Sequence, residues 1–284
     1  MQGPQISVLT DGHRWHFHHG PVDLIVDAVG QAREAALHGA ARRFDTLLSE
    51  LASELDILRR PAGHAEVARG RIARAMQDAV SVHLPEFVTP MAAVAGAVAD
   101  EMLAALCAAG PLRRAYVNNG GDVALYLAPG ECLTSVIATA SAPRLTLCAD
   151  SHVRGVATSG WRGRSHSLGI ADSVTVLAGT AAQADVAATL IANAVDLPTH
   201  AAIRRVRACD IAPDSDLGER LVTVDVGPLS DDDMLTALTA GARLAEDCLL
   251  RGHIISAHLQ LGPHERVVGA TEYLTQPERD RLYA

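Results

Sequence analysis

Residues 89–109, TPMAAVAGAVADEMLAALCAA, constrain the fold of this chain more than any other stretch. Thr89 and Pro90 suit a helix start, with a capping hydroxyl and Pro at the first helical position. From Met91 onward the stretch is almost entirely small and apolar. A helix without a polar face is buried on most sides. Its Ala and Gly residues allow close backbone packing, either in a core or at the interface of a homo-oligomer.

The rest of the chain supplies cover for it. Ile6 to Thr10, Asp11-Gly12 and His13 to His18 read as a hairpin, the Asp-Gly dipeptide suiting a type I′ turn. Val22 to Ala28 reads as a further strand. Leu37, Phe44, Leu47, Leu48, Leu51, Leu55 and Leu58 recur at helical spacing, and Arg59-Arg60-Pro61 ends that helix. A second helix covers about His64 to His83. Strands dominate from Arg114 to Ala178, with turns at Gly120-Gly121, Pro129-Gly130 and Ser159-Gly160.

A helix comes next over about Ala181 to Val195, with Thr180 and Gln183 as a capping box. A loop rich in Asp, Pro and Ser leads to the strand Leu221 to Val226. Ser230 and the three Asp residues after it cap a helix to about Leu250, and His253 to Leu261 closes as one long alternating strand. Helices clustered between runs of antiparallel-looking strands indicate α+β rather than regular βαβ winding. There is no sharp linker and no short repeat. The 284 residues suffice for one large domain or two fused halves. A single domain over 1–284 is the expectation.

Composition removes several chemistries. All 24 basic residues are Arg. A Schiff-base lysine, a phosphate-loop lysine and a lysine general base are therefore impossible. With net charge −9 and no basic run, the chain is a poor partner for nucleic acid or an anionic membrane. No apolar run is expected to reach the length of a membrane span, and the first twenty residues lack an apolar signal-type core. The expectation is a cytoplasmic protein. Cys107, Cys132, Cys148, Cys209 and Cys248 form no CxxC pattern, so neither a disulfide framework nor a zinc site is signalled.

Polar groups gather at a few points. Asn118, Asn119, Gly120, Gly121 and Asp122 interrupt a stretch that otherwise reads as strand. The Gly pair lets backbone approach a ligand closely, though Asn and Asp are also ordinary turn formers. In the helix after Gly179, Asp185, Thr189 and Asn193 fall at i, i+4 and i+8, on one stripe. Asp185 and Thr189 offer two hard oxygen ligands suited to Mg²⁺. A shallow solvated face or an internal hydrogen-bonded stripe would show the same pattern.

Thr158, Ser159 and Gly160 form a hydroxyl-rich turn. Arg162, Arg164 and His166 come soon after, and Arg can hold phosphate or carboxylate through paired hydrogen bonds. His13, His16, His18 and His19 crowd the first hairpin, with alternation putting His16 and His18 on one face. Surface histidines suit them better than a metal site, since no carboxylate or Cys completes a pattern. His253 and His258 face opposite sides of the last strand and do not act together.

Taken in order, these segments resemble the ApbE-like superfamily, best known for FAD:protein FMN transferases. The Asn118 to Asp122 turn is similar to the family's N-x-G-G-D segment. Ala157-Thr158-Ser159-Gly160 matches its A-T-S-G turn, and Ala184-Asp185 with Thr189 matches its A-D-x-x-x-T helix. This likeness covers roughly residues 85–195. A closer likeness, to a branch without assigned activity, runs through His19-Gly20-Pro21-Val22-Asp23-Leu24, Pro90 to Ala97 and Gly163 to Gly169.

The resemblance implies an ApbE-like, T-fold-related architecture: antiparallel sheets backed by long helices, in two similar halves. It implies FAD or another flavin nucleotide as ligand, with Asp185 and Thr189 holding Mg²⁺ on the diphosphate. Asn118, Asn119, Gly120, Gly121, Thr158, Ser159, Gly160, Arg162 and Arg164 would line the cofactor, and Asp122 and His166 would be the catalytic groups. An acceptor flavoprotein would be the partner in transfer.

The chain departs from the transferases at two places. Ala92 to Gly96 replaces their lysine-bearing G-G-x-A-K-G segment, and His166 to Asp172 lacks their Asp-Pro loop. Two other readings stay open. The scaffold could act on a small heterocycle or carboxylate without flavin, with His166 as base and Arg162 or Arg164 as anchor. It could also be a non-catalytic flavin or nucleotide binding module.

Overall fold

The computed structural model describes residues 3–64, 66–136 and 144–275. In chain order it runs β1 (Gln5–Val8), β2 (Trp15–His19), β3 (Val22–Val29), α1 (Arg33–Ser53), α2 (Leu55–Leu58) and α3 (Arg71–Ser81). A 3₁₀ turn (Pro90–Ala93) leads into α4 (Val94–Cys107). Next are β4 (Arg114–Asn119), β5 (Asp122–Leu127), β6 (Cys132–Val136), β7 (Arg144–Cys148), β8 (Gly155–Ser159), β9 (Ser173–Ala178) and α5 (Ala181–Ala194). The chain ends with β10 (Ile203–Arg207), α6 (Ala208–Ile211), β11 (Leu221–Val226), α7 (Asp231–Leu250), β12 (Ser256–Leu261), β13 (His264–Gly269) and β14 (Leu274–Thr275).

Nine strands form one antiparallel sheet in the order β1-β2-β3-β4-β5-β8-β9-β12-β13. Two similar halves are visible in that order. Each is a hairpin, a helical excursion and a second hairpin laid beside the first: β2-β3, α1 to α4, β4-β5, then β8-β9, α5 to α7, β12-β13. The helices cover one face of the sheet. A small sheet, β14-β7-β6, covers the middle of the other, burying Leu145 and Leu147 against Leu125, Leu127 and Leu177. Alternation along each strand sorts residues between these faces: Ala115 and Val117 pack under the helices, whereas Tyr116 packs towards the small sheet.

Burial explains why α4 is so apolar. It lies in the first-half core with Ala97, Val98, Ala99, Met102 and Leu106. It is a core helix. The expectation that no run is long enough for a membrane span needs correction, because Pro90–Cys107 gives 18 residues of mean hydropathy 1.4. Packing against α1, α5 and the sheet accounts for that apolarity.

Several local expectations shift for physical reasons. The first hairpin closes with a longer loop than a type I′ turn, bonded Leu9 N–H to Arg14 O, because Asp11 Oδ1 accepts from His13 N–H and Arg14 N–H. The long helix breaks at Glu54, whose carboxylate accepts the Arg69 and Gly70 N–H groups instead of facing solvent. α3 then starts at Arg71 rather than near His64. Thr89 does not cap the helix after it; its hydroxyl donates to Asp216. The last strand starts at Ser256 and is followed by the unexpected β13. Cys132 and Cys148, expected to be unpaired, form a disulfide, because the β6-β7 register sets them directly opposite. By contrast, Thr180 and Ser230 accept the N–H groups of Gln183 and Asp233 as cap residues should.

Candidate functional site

The site grows from the crossing of α4 and α5. A Cβ on Gly96 would lie 2.2 Å from the Ala181 carbonyl oxygen, so only glycine permits this approach. The crossing lets each helix supply the acceptor for the other's free N–H groups. Asp185 Oδ2 on α5 accepts the Gly96 N–H at 3.0 Å. Asp100 on α4 accepts the Ala181 N–H at 3.0 Å and the Ala182 N–H at 2.9 Å. Burial holds Asp100 up at about 6, against the pull of those two backbone bonds.

The β4-β5 turn meets the same helix start. Asn119 is only 6% exposed and its Nδ2 donates to the Ala95 carbonyl at 3.1 Å. Gly120 and Gly121 carry φ of 65° and 120°, in the left-handed region that glycine enters without penalty. Asn118 Oδ1 closes the turn by accepting the Gly121 N–H at 2.8 Å. The Arg164 guanidinium lies over Gly120, where a Cβ would be 2.6 Å from its Nη2. Asp122 accepts the Thr158 N–H at 3.3 Å, which ties the turn to the end of β8.

Two carboxylates dominate the electrostatics. Burial pushes Asp122 well above the usual carboxylate range, while the Thr158 N–H and the Arg164 charge oppose it. Asp185 is also pushed up, first by burial and then by the charge of Asp122. Simultaneous ionisation of the pair is disfavoured, and a bound cation would relieve it. The Thr189 hydroxyl, one turn after Asp185, is part-exposed and has no hydrogen-bond partner among the described residues. Carboxylate and hydroxyl oxygens are hard donors of the kind Mg²⁺ takes.

A family model described as AbpE bacteria matches residues 6–273. The chain belongs to this ApbE-like family. It is similar to the UPF0280 protein of Methanothrix thermoacetophila, with 41% identity over 113 residues, 38% of this chain and 46% of that one. The UPF0280 protein of Methanothermobacter thermautotrophicus is 41% identical over 115 residues, 39% of this chain and 44% of the relative. The alignments thus span less than half the length of these relatives. Among solved structures, apo Pseudomonas stutzeri flavinyl transferase ApbE aligns over 95% of this chain and 96% of its own, with TM-score 0.49 and 13% identity.

On the ApbE-like scaffold, strand alternation divides the residues singled out by sequence. Asn119, Asp122 and Ser159 fall on the helix face of the sheet, the side of Asp185. Asn118 and Thr158 fall on the other face. Thr158 pairs its hydroxyl with Thr175 at 2.8 Å, and Asn118 lines a cavity of about 300 Å³ with Arg14 and Tyr116. Arg162 is exposed, paired with Asp172 at 3.0 Å and stacked on Trp161. His166 is exposed and has no partner among the described residues. Gly160 is buried beside Asp172.

The third member of the polar stripe is structural. Asn193 Oδ1 accepts from the Ser167 hydroxyl and the Leu168 N–H, clamping the loop that carries Arg164 and His166. In the first hairpin, His16 and His18 share a face as alternation requires. Both approach Asp23, at 2.8 and 3.6 Å. Sequence reasoning passed over Asp100. Its signal was a lone acid pair, Asp100-Glu101, inside an otherwise apolar helix.

Proposed function

We propose that this chain is a flavin-nucleotide-binding enzyme of ApbE type. In this reading Asp185 and Thr189 hold Mg²⁺ on the diphosphate of FAD. The observation that carries it is the close, part-buried pair Asp122 and Asp185 at the N-terminus of α4, beside an unpartnered Thr189 hydroxyl. The pair calls for a cation, and the family whose model covers residues 6–273 supplies the context of a flavin nucleotide.

When bound, the metal neutralises charge on the breaking pyrophosphate. The chain's own residues do the rest. Arg164, held over Gly120, offers paired donors to phosphate oxygens. The Gly120-Gly121 backbone allows close approach of the ligand. Asp122 accepts the Thr158 N–H at the end of β8 and would take a proton from an attacking hydroxyl or water. His166, exposed on the loop that Asn193 clamps, would be the second catalytic group.

The lysine-free sequence favours FAD binding and pyrophosphate cleavage over transfer of FMN to an acceptor flavoprotein. The test is a titration of FAD with and without Mg²⁺, followed by chromatography for FMN and AMP. The reading expects Mg²⁺-dependent FAD binding that Asp185→Asn weakens at least tenfold. Protein that neither binds FAD nor cleaves it with Mg²⁺ would overturn the proposal.

A further inference from the structure

The C-terminal end of α7 carries an arrangement unrelated to the acidic site. The helix closes with a Schellman motif: the His253 N–H bonds Cys248 O at 2.9 Å and the Gly252 N–H bonds Leu249 O at 3.0 Å. Gly252, at φ 73°, makes the left-handed turn. The motif folds residue 253 back beside residue 248. A pair of apolar side chains commonly meets there; here they are a histidine and a cysteine. His83, on the segment between α3 and α4, comes in from the other half of the molecule.

The ligand atoms of His83, Cys248 and His253 all lie within 4.8 Å of one another. His83 is 7% exposed and Cys248 2%. None of the three side chains has a hydrogen-bond partner among the described residues. They face a cavity of about 50 Å³, also lined by Glu86, Asp247 and Arg251. The His83 and His253 rings meet edge to face, their centroids 5.2 Å apart. Arg251 is engaged with Asp247 at 3.0 Å and does not satisfy them.

We propose that His83, Cys248 and His253 form a site for a borderline-soft divalent cation of the zinc class. Two imidazole nitrogens and one thiolate are a zinc donor set that leaves a fourth position for water or a carboxylate. Tetrahedral zinc holds such atoms about 3.3–3.7 Å apart, so small side-chain rotations close the site. The cavity has room for the ion and a water. On binding, the Cys248 S–H gives its proton to solvent and the sulfur lone pair bonds the metal. The ion would clip the segment after α3 to the end of α7, joining the two halves.

The test loads the full chain, stripped with a chelator, with Co²⁺ as a spectroscopic stand-in for Zn²⁺. The expected result is a set of tetrahedral d–d bands and a thiolate-to-cobalt charge-transfer band that saturate together at one ion per chain. Loss of a supporting group alone costs about 10–100-fold in metal affinity, so His253→Asn should cost at least ~100-fold. Cys248→Ser should abolish the thiolate band, and Asp185→Asn should leave it intact. Should Cys248→Ser fail to fold, His253→Asn, whose side chain is part-exposed, carries the test. No thiolate band in the folded wild type, a band that survives Cys248→Ser, or a Co²⁺ affinity that His253→Asn leaves unchanged would overturn the site. Failure of the FAD reading would leave these bands unchanged.

Discussion

Gly96 is the residue at which α4 and α5 come closest, and its missing side chain sets the geometry around Asp185. Gly96→Ala would drive a methyl to 2.2 Å from a backbone carbonyl that cannot rotate away. The helices must part, and the Asp185 bond to the Gly96 N–H lengthens with them. Overpacking of this kind costs about 1–3 kcal/mol, and urea unfolding should show a loss near the top of that range. Asp100 permits a second prediction with a definite sign. Its carboxyl is raised from 3.8 to about 6 in the folded state. Between those values the folded chain holds a proton that the unfolded chain has released, so this group's contribution to stability falls as pH rises from about 4 to 6. The difference in unfolding free energy between wild type and Asp100→Asn should therefore change across that window and be flat above pH 7. A constant difference from pH 4 to 7 would show that Asp100 titrates normally.

Among the elements, the hairpin of β6 and β7 departs most from its sequence-based expectation. Its disulfide joins Cys132 and Cys148, 16 residues apart. Closing a loop of that size stabilises by about 3 kcal/mol in the chain-entropy account. Reduction, or Cys132→Ser with Cys148→Ser, should lower the unfolding free energy by about 2–3 kcal/mol, measured against the oxidised protein in the same denaturant. Disulfides persist in oxidising compartments, so thiol trapping in cells also tests the cytoplasmic expectation. The pairing was hidden because cysteine spacing carries no register; only the alignment of Cys132 against Cys148 reveals it. α5 was legible for the opposite reason. Thr180 marks its start, and the Asp185, Thr189, Asn193 stripe is set by helical period alone. The contacts of that stripe were not legible, since Asn193 meets the loop at Leu168 and Asp185 meets Gly96, 89 residues away. For the same reason the period-2 pattern could not separate Asn118 from Asn119 by function, though it places them on opposite faces.

At the scale of the whole molecule, the halves share one helix. Ala181, Ala182, Val186 and Leu190 of α5 pack in the first-half core, while Ala184, Ala187 and Ile191 pack in the second. Neither half can unfold without exposing one face of α5. The exchange of Asp100 and Asp185 between α4 and α5 adds three backbone hydrogen bonds to carboxylates across the same seam. A single cooperative unit over the chain is thus the prediction, although a sheet of two repeated halves would permit two. The two tryptophans offer a direct readout, because they lie one in each half. Trp15, in β2, packs on Phe17 and on His38 of α1, and Trp161 lies just after β8. Trp161→Phe leaves a reporter on the first half, and Trp15→Phe leaves one on the second. Within each variant, fluorescence and far-ultraviolet circular dichroism should give the same denaturant midpoint and the same slope. A fluorescence transition that precedes the loss of helix in either variant would mean that the halves unfold separately. The α5 seam would then be an interface between two domains rather than the middle of one core.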